Sequence, residues 1–264
     1  MFPAQRRALI IQHLRQQEAA SLRDLASQIG ISLSTVRRDI DYLCETGHLQ
    51  RTHGGAILQP SGKRGFEPET AIAAALFPEE KRTIGARAAA LVQPGQSILF
   101  DSGTTTAAAA LAARERAIPF SAVTNDLAIG TILSEGQQVS TTVAGGQVRP
   151  GSPTLLGAAT ASLLARLHAD IAFVGAHAVA YGPDGVWHLS DTSLELGEIK
   201  RIILRSADRV VLLADSSKFV AASAFCRFGL LSEVDLVITD RRLAPQHRDA
   251  IRDAGVELEY ADGR

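Results

Sequence analysis

Ser97-Ile98-Leu99-Phe100-Asp101-Ser102-Gly103-Thr104-Thr105-Thr106-Ala107-Ala108-Ala109-Ala110-Leu111 decides how the larger part of the chain is read. An apolar run of strand length ends in an acid, turns on a glycine, and enters an alanine-rich helix through three threonines. Such a turn aims backbone N–H groups and hydroxyls at one point, at the positive end of a helix dipole. It suits a phosphate or a carboxylate, and it equally suits an ordinary capped strand-to-helix turn. The segment alone leaves both open.

Working outward from it, strand-like and helix-like runs alternate from about residue 79 to residue 264, at intervals typical of a mostly parallel α/β sheet. Strands are expected at 97–100, 121–123, 139–144, 171–174, 210–214, 236–238 and 256–259, and helices near 105–116, 126–135, 154–167, 192–206 and 245–254. Small and polar residues follow strand after strand: Asp101 to Thr106, then Thr124-Asn125, Gly145-Gly146, Gly175-Ala176, Asp215-Ser216-Ser217-Lys218 and Thr239-Asp240. In an open parallel sheet these ends share one edge, where ligands bind. Each loop singly is ordinary turn chemistry; together they read as a pocket rim, with small residues admitting a ligand to the backbone and Lys218 supplying a cation. Lys200, on an expected helix, is within reach of the pocket, but reads first as a surface neighbour of Glu198. Trp187, His188 and Asp191, after a turn at 181–185, suit a lid or a subunit contact. His168 and His177 read as structural.

Upstream, residues 1–58 read as a small head. A first helix runs from about Gln5 to Gln17. Ser21, with Asp24 three residues on, caps a second that ends at Gly30, and Ser32 caps a third striped by Val36, Ile40 and Leu43. Two short helices joined by a tight glycine-containing turn make a helix-turn-helix. The outward face of the third helix carries Ser34, Thr35, Arg37 and Arg38, residue types that pair with guanine edges and phosphates; one arginine is expected to turn toward Asp41. Two short alternating runs from His48 to Leu58 read as a β-hairpin wing, from which Arg51 and His53 can touch the DNA backbone. A proline- and glycine-containing join is expected over 59–78, ending in the helix-prone run Ala71 to Phe77.

The bulk numbers agree with this division. Over residues 1–64, nine Lys/Arg stand against five Asp/Glu, a net of +4; over 65–264, eighteen stand against twenty-three, a net of −5. A basic head on an acidic body points to a polyanionic partner for the head alone. Cys44 and Cys226 sit in no metal-ligand spacing and read as reduced thiols of a cytoplasmic protein. No leader-type apolar segment opens the sequence, no apolar run approaches membrane-spanning length, and no motif calls for a cofactor or a metal.

The segments Ser32 through Arg38 followed by Asp39-Ile40, Gly47-His48-Leu49 and Arg51-Thr52-His53-Gly54-Gly55-Ala56 resemble the DNA-binding head of the DeoR family of bacterial transcriptional regulators, which implies DNA contacts from Ser32, Ser34, Thr35, Arg37, Arg38, Arg51 and His53. Asp101 to Thr105, Thr124-Asn125, Gly145-Gly146, Ala169 to Gly175, Glu198-Ile199-Lys200-Arg201, Asp215 to Lys218 and Val237 to Asp240 resemble that family's sensor domain. The resemblance implies a winged helix-turn-helix followed by a sheet domain similar to ribose-5-phosphate isomerases, glucosamine-6-phosphate deaminases and CoA transferases. It implies a phosphorylated sugar or related effector, with Ser102, Gly103, Thr104, Thr105 and Thr106 around the phosphate, Asp101 and Asn125 on sugar hydroxyls, and Lys218 facing the anion.

The expected function is a DNA-binding regulator, by default a repressor of a carbohydrate-catabolism operon, whose effector controls operator affinity. A single head binds weakly, so a dimer or tetramer on repeated half-sites is expected. The competing reading is a sugar-phosphate isomerase or deaminase that carries a DNA-binding head, with Asp101, Asp215 and Lys218 as acid–base groups. Against it, no general base stands beside an activating neighbour, and Ala176-His177-Ala178 occupies the place where related isomerases carry an acidic loop.

Overall fold

The computed structural model describes residues 1–17, 19–58, 70–220 and 222–262. It divides into two compact units, Met1–Pro78 and Glu79–Arg264.

In the first unit, α1 (Pro3–Gln17) leads to β1 (Ala19–Ser21), α2 (Leu22–Ile29) and α3 (Leu33–Glu45), then β2 (Leu49–Arg51), β3 (Gly55–Leu58) and α4 (Thr70–Ala75). The punctuation is local. Ser21 Oγ accepts the Asp24 N–H at 3.1 Å, and α2 ends at Gly30 with φ of 72°. Ser32 Oγ accepts the Thr35 N–H at 3.2 Å and so starts α3. Ile10, Leu14, Leu25, Val36, Ile40 and Leu43 are fully buried together. Each contributes on the order of 1.5–3 kcal/mol by leaving water.

Two features of this unit differ from the sequence expectation. Residues 19–21 form a strand, so the wing is a three-stranded sheet ordered β1-β3-β2. Ser21 lies opposite Gly55, and a Cβ at Gly55 would fall 1.9 Å from the Ala20 carbonyl oxygen, which explains the glycine. The helix-prone end of the expected join packs on α1 and buries Ile72, Leu76 and Phe77 in the head core. The remainder of that join, residues 59–69, lies outside the described residues.

The second unit runs α5 (Pro78–Ala89), β4 (Ser97–Phe100), α6 (Thr104–Glu115), β5 (Phe120–Thr124), α7 (Leu127–Ser134), β6 (Val139–Val143), β7 (Gln147–Val148), β8 (Leu155–Leu156), α8 (Ala158–Leu164), β9 (Ala169–Val174), β10 (Ala178–Tyr181), β11 (Trp187–Asp191), α9 (Leu194–Ile203), β12 (Ala207–Leu213), β13 (Cys226–Leu230), β14 (Leu236–Thr239), α10 (Pro245–Asp253) and β15 (Glu257–Tyr260). A seven-stranded sheet, all parallel, has the order β15-β14-β12-β9-β4-β5-β6. All seven expected strands are in it, the last starting one residue later than anticipated. Alternation splits each strand between two cores. Leu99, Ala172, Leu212 and Val237 pack with Leu164, Ile199, Ile203 and Ile251, from α8, α9 and α10. Ile98, Phe100, Phe173, Val211 and Ile238 pack with Ile84, Ala109 and Ile129, from α5, α6 and α7. Burial on both faces is why the inner strands β4, β9, β12 and β14 read as largely apolar runs.

The helix expected over 154–167 is shorter, because Leu155 and Leu156 pair instead with Gln147 and Val148, and Gly157, with φ of 97°, starts α8. An antiparallel sheet, β10-β11-β13, went unforeseen. Its strands are of four or five residues and the turn between the first two separates them.

The strand order reverses once within the sheet. From β4 the chain moves outward through β5 to β6; it then crosses to the other side of β4 and continues β9, β12, β14, β15. Successive connections leave β4 and β9 in opposite directions, the place in open parallel sheets whose carboxyl edge takes ligands.

Candidate functional site

Asp101 and Gly175 are the first residues beyond those two strands. The Asp101 N–H donates to the Phe173 carbonyl at 3.0 Å, and the Gly175 N–H donates to Asp101 Oδ2 at 3.1 Å. Asp101 is fully buried. Burial pushes its carboxyl above the usual range, and the Asp191 charge adds to this; the Lys200 ammonium and the Gly175 N–H act the other way.

Lys200 is the residue that sequence reasoning misplaced. It is buried, ion-pairs with Asp101, stands 3.5 Å from Asp191 and donates to the Gly175 carbonyl at 2.9 Å. Its ammonium lies 5.7 Å from the centre of the Phe228 ring. The reason is helical phase: Leu196, Ile199, Lys200 and Ile203 share the inward stripe of α9, while Glu198 is exposed. A lysine on an apolar stripe was the available signal. Asp191, at the end of β11, belongs to the same buried group.

Beside Asp101, α6 begins without a capping side chain. Gly103 adopts φ of 136°, and the Thr106 hydroxyl donates to the Gly103 carbonyl at 2.8 Å, within its own turn. Ser102, Thr105 and Thr106 are buried, Thr104 is half-buried and Gly103 is exposed. The first-turn amides of a helix have no intrahelical acceptors, so this turn offers N–H donors and a positive dipole end.

On the next strand, the Thr124 hydroxyl accepts the Asp126 N–H at 3.1 Å. Asn125 is fully buried; its Nδ2 donates to the Leu155 carbonyl at 3.4 Å. Asp126 accepts from the Ala128 and Ile129 N–H groups at 2.9 and 3.1 Å and so caps α7. Burial raises its carboxyl, opposed by the amides of Ile129, Ala128 and Gly103.

Farther along the edge, Asp215 Oδ1 accepts the Ser217 N–H at 3.0 Å, and Lys218 sits half-buried in the one-turn helix Ser216–Lys218. Gly145 and Gly146, beyond β6, are exposed, and Thr160 Oγ1 donates to the Gly145 carbonyl at 2.6 Å.

Four buried oxygens at the carboxyl ends of these strands have no hydrogen-bond partner: Asp101 Oδ1, Asn125 Oδ1, Asp215 Oδ2 and Thr239 Oγ1. A buried polar oxygen left unmet costs about 1–3 kcal/mol, and these four share one sheet edge. The described residues contain no group of His, Cys, Asp or Glu able to hold a metal ion. His188 is instead paired with Asp184, its Nε2 2.8 Å from Asp184 Oδ2.

In the head, Ser34, Arg37 and Arg38 are exposed on α3, as are Ser32 just ahead of the helix and His53 in the wing; Thr35 is half-buried. The Ser32 hydroxyl lies 3.0 Å from that of Ser34 and 2.8 Å from that of Thr35. The expected approach of one α3 arginine to Asp41 is replaced by an ion pair from the wing, Arg51 to Asp41. Sequence reasoning also passed over Asp39. It is buried in α3 and held by Arg6 at 2.8 Å and Arg7 at 3.2 Å, and the Arg7 guanidinium lies 3.4 Å over the Tyr42 ring.

Two family models match the chain: the DeoR-like helix-turn-helix domain over residues 6–61 and the DeoR C terminal sensor domain over 77–241. The HTH-type transcriptional regulator GlpR of Haloferax volcanii is 32% identical over 262 residues, covering 98% of each chain. The HTH-type transcriptional repressor GlcR of Bacillus subtilis is 29% identical, over 98% of this chain and 96% of that one. The glycerol-3-phosphate regulon repressor of Escherichia coli is 29% identical, over 98% and 99%. Among solved structures, ribose 5-phosphate isomerase A of Methanocaldococcus jannaschii aligns over 54% of this chain and 55% of that one at 19% identity, with a TM-score of 0.40, too distant to bear on the site. Among the described residues no helix is long and apolar enough to cross a membrane. With a basic helix-turn-helix head and a parallel-sheet sensor unit both matched along the chain, this protein belongs to the DeoR family of transcriptional regulators.

Proposed function

We propose that the body senses a phosphorylated sugar or polyol at the β4/β9 crevice, and that its binding lowers the head's affinity for an operator controlling a carbohydrate-catabolism operon. The observation that carries the reading is the uncapped first turn of α6 beside the orphaned oxygens of Asp101 and Asn125. Helix amides and dipole suit the phosphate; buried acceptors suit the hydroxyls of a polyhydroxy chain. A relative named for glycerol-3-phosphate and another named as the lactose phosphotransferase system repressor support a phosphorylated ligand.

The crevice sets the order of contact. Strands β12 to β6 span four spacings of about 4.8 Å, about 19 Å in all, wider than one monosaccharide phosphate. The ligand therefore centres on Asp101 to Thr106, Gly175, Thr124 and Asn125. Asp215 and Lys218 on one flank, and Gly145 and Gly146 on the other, meet only its ends. To switch operator occupancy well, it must favour one state of the protein by about 3–5 kcal/mol.

A thermal-shift panel of phosphorylated sugars and polyols against the full chain, each beside its unphosphorylated counterpart, tests this. A shift confined to phosphorylated compounds is expected; shifts only with unphosphorylated sugars contradict it. The same incubations, followed for turnover, test the enzymatic alternative.

A further inference from the structure

The outward face of α3 carries one large apolar side chain among polar ones. Leu33, the first residue of the helix, is 45% exposed, whereas Val36, Ile40 and Leu43 are fully buried. Residues three and four apart stack on one helix face, so Leu33, Ser34, Arg37 and Arg38 form a continuous patch, and all four are exposed. A lone exposed leucine is ordinary on a protein surface. Its position is what matters: the first turn of a recognition helix is the part that reaches base edges in the major groove.

The major groove presents one apolar feature, the 5-methyl group of thymine; its other signals are hydrogen-bond donors and acceptors. The polar neighbours of Leu33 suit those other signals, the arginines taking guanine acceptors or phosphates. Ser34 and Thr35 are already engaged with the Ser32 hydroxyl at the helix cap. Leu33 has no hydrogen-bonding group to offer and no place in the head core. Its exposure leaves its apolar surface to whatever the helix docks against.

We propose that Leu33 is a specificity-determining residue that packs on the 5-methyl group of one thymine in each operator half-site. The inference rests on the DNA-binding reading of the head and adds a base preference to it. The arginines set affinity and polar readout; Leu33 distinguishes thymine from bases that lack the methyl group.

The test uses the full chain. Duplexes are selected from a random-sequence library, and each thymine of the selected site is then replaced by deoxyuridine, which removes only the methyl group. At one thymine per half-site the unaltered protein should lose about four-fold in affinity, the worth of one buried methyl-sized group. Leu33→Ala should bind the parent site more weakly and be insensitive to that replacement. Leu33→Gln, of similar length and helix propensity, is read in parallel and should be equally insensitive. If no thymine is sensitive, or if both variants keep the sensitivity of the unaltered protein, the assignment of Leu33 is overturned. Recovery of no duplex at all overturns the DNA-binding reading beneath it, a distinct result.

Discussion

Lys200, on α9, and Asp101, at the end of β4, are ion-paired 99 residues apart in sequence, with side chains only 4% and 1% exposed. The pair lies where the strand order reverses, and Asp191, the Gly175 carbonyl and the Phe228 ring also face the ammonium. Two buried charges gain little over an apolar pair, but removing one strands the other. Lys200→Met should therefore destabilise the body by about 3–5 kcal/mol. Urea denaturation followed by circular dichroism reads this; a change below about 1 kcal/mol would mean that the charges relax elsewhere.

Asp126 gives a pH signature. Its folded carboxyl is raised above the ordinary 3.8 by burial, so the folded state holds the proton to higher pH than the unfolded chain. Proton uptake by the folded state makes stability fall as pH rises through that window. Asp126→Asn keeps an accepting oxygen for the α7 cap and removes the titration. The stability of the native protein relative to this variant should decline from about pH 3.8 upward and level off above the folded value. A difference that grows with pH would reverse the assignment.

The two glycines beyond β6 should behave oppositely. A Cβ at Gly146 would lie 2.1 Å from Thr160 Oγ1 and 2.5 Å from the Leu156 carbonyl oxygen, on a backbone with φ of 152°. A Cβ at Gly145 meets nothing within 4 Å. Gly146→Ala should cost about 1–3 kcal/mol through overpacking and strain, and Gly145→Ala less than about 0.5. Thermal melts of the two variants side by side decide this.

The head arginines divide into two kinds. Arg6 and Arg7 hold the buried Asp39; Arg37 and Arg38 face outward. Replacing Arg6 and Arg7 together by Ala should lower the melting temperature of the head. Replacing Arg37 and Arg38 by Ala should leave melting unchanged, reduce DNA affinity and flatten its salt dependence by the counterions no longer released. Equal DNA affinity after the second replacement would remove α3 from the interface.

Much of this was legible because it is local. The caps at Ser21 and Ser32, the stop at Gly30 and the seven strands of the parallel sheet follow from neighbours in sequence. What escaped depends on distant contacts. Lys200 looks like a surface residue until the phase of α9 sets it among Leu196, Ile199 and Ile203, and its partners lie on other elements. The strands β10, β11 and β13 are short, and β13 finds its partner 35 residues earlier, at Asp191 opposite Cys226. The helix α4 reads as part of a join because its burial comes from α1, at the other end of the unit. The rim residues were legible by type, but only the strand order shows that Asp101 and Gly175 flank the reversal.

A phosphorylated metabolite in the β4/β9 crevice is expected to control operator affinity. The most direct test is anisotropy of a fluorescent operator duplex bound by the full chain, titrated with the phosphorylated compound that gives the largest thermal shift. Operator affinity should fall at least ten-fold, not at all with the unphosphorylated counterpart, and much less in Asn125→Ala, which lacks the orphaned acceptor beside Asp101. Equal release by the unphosphorylated compound, or an undiminished response in Asn125→Ala, would contradict this expectation.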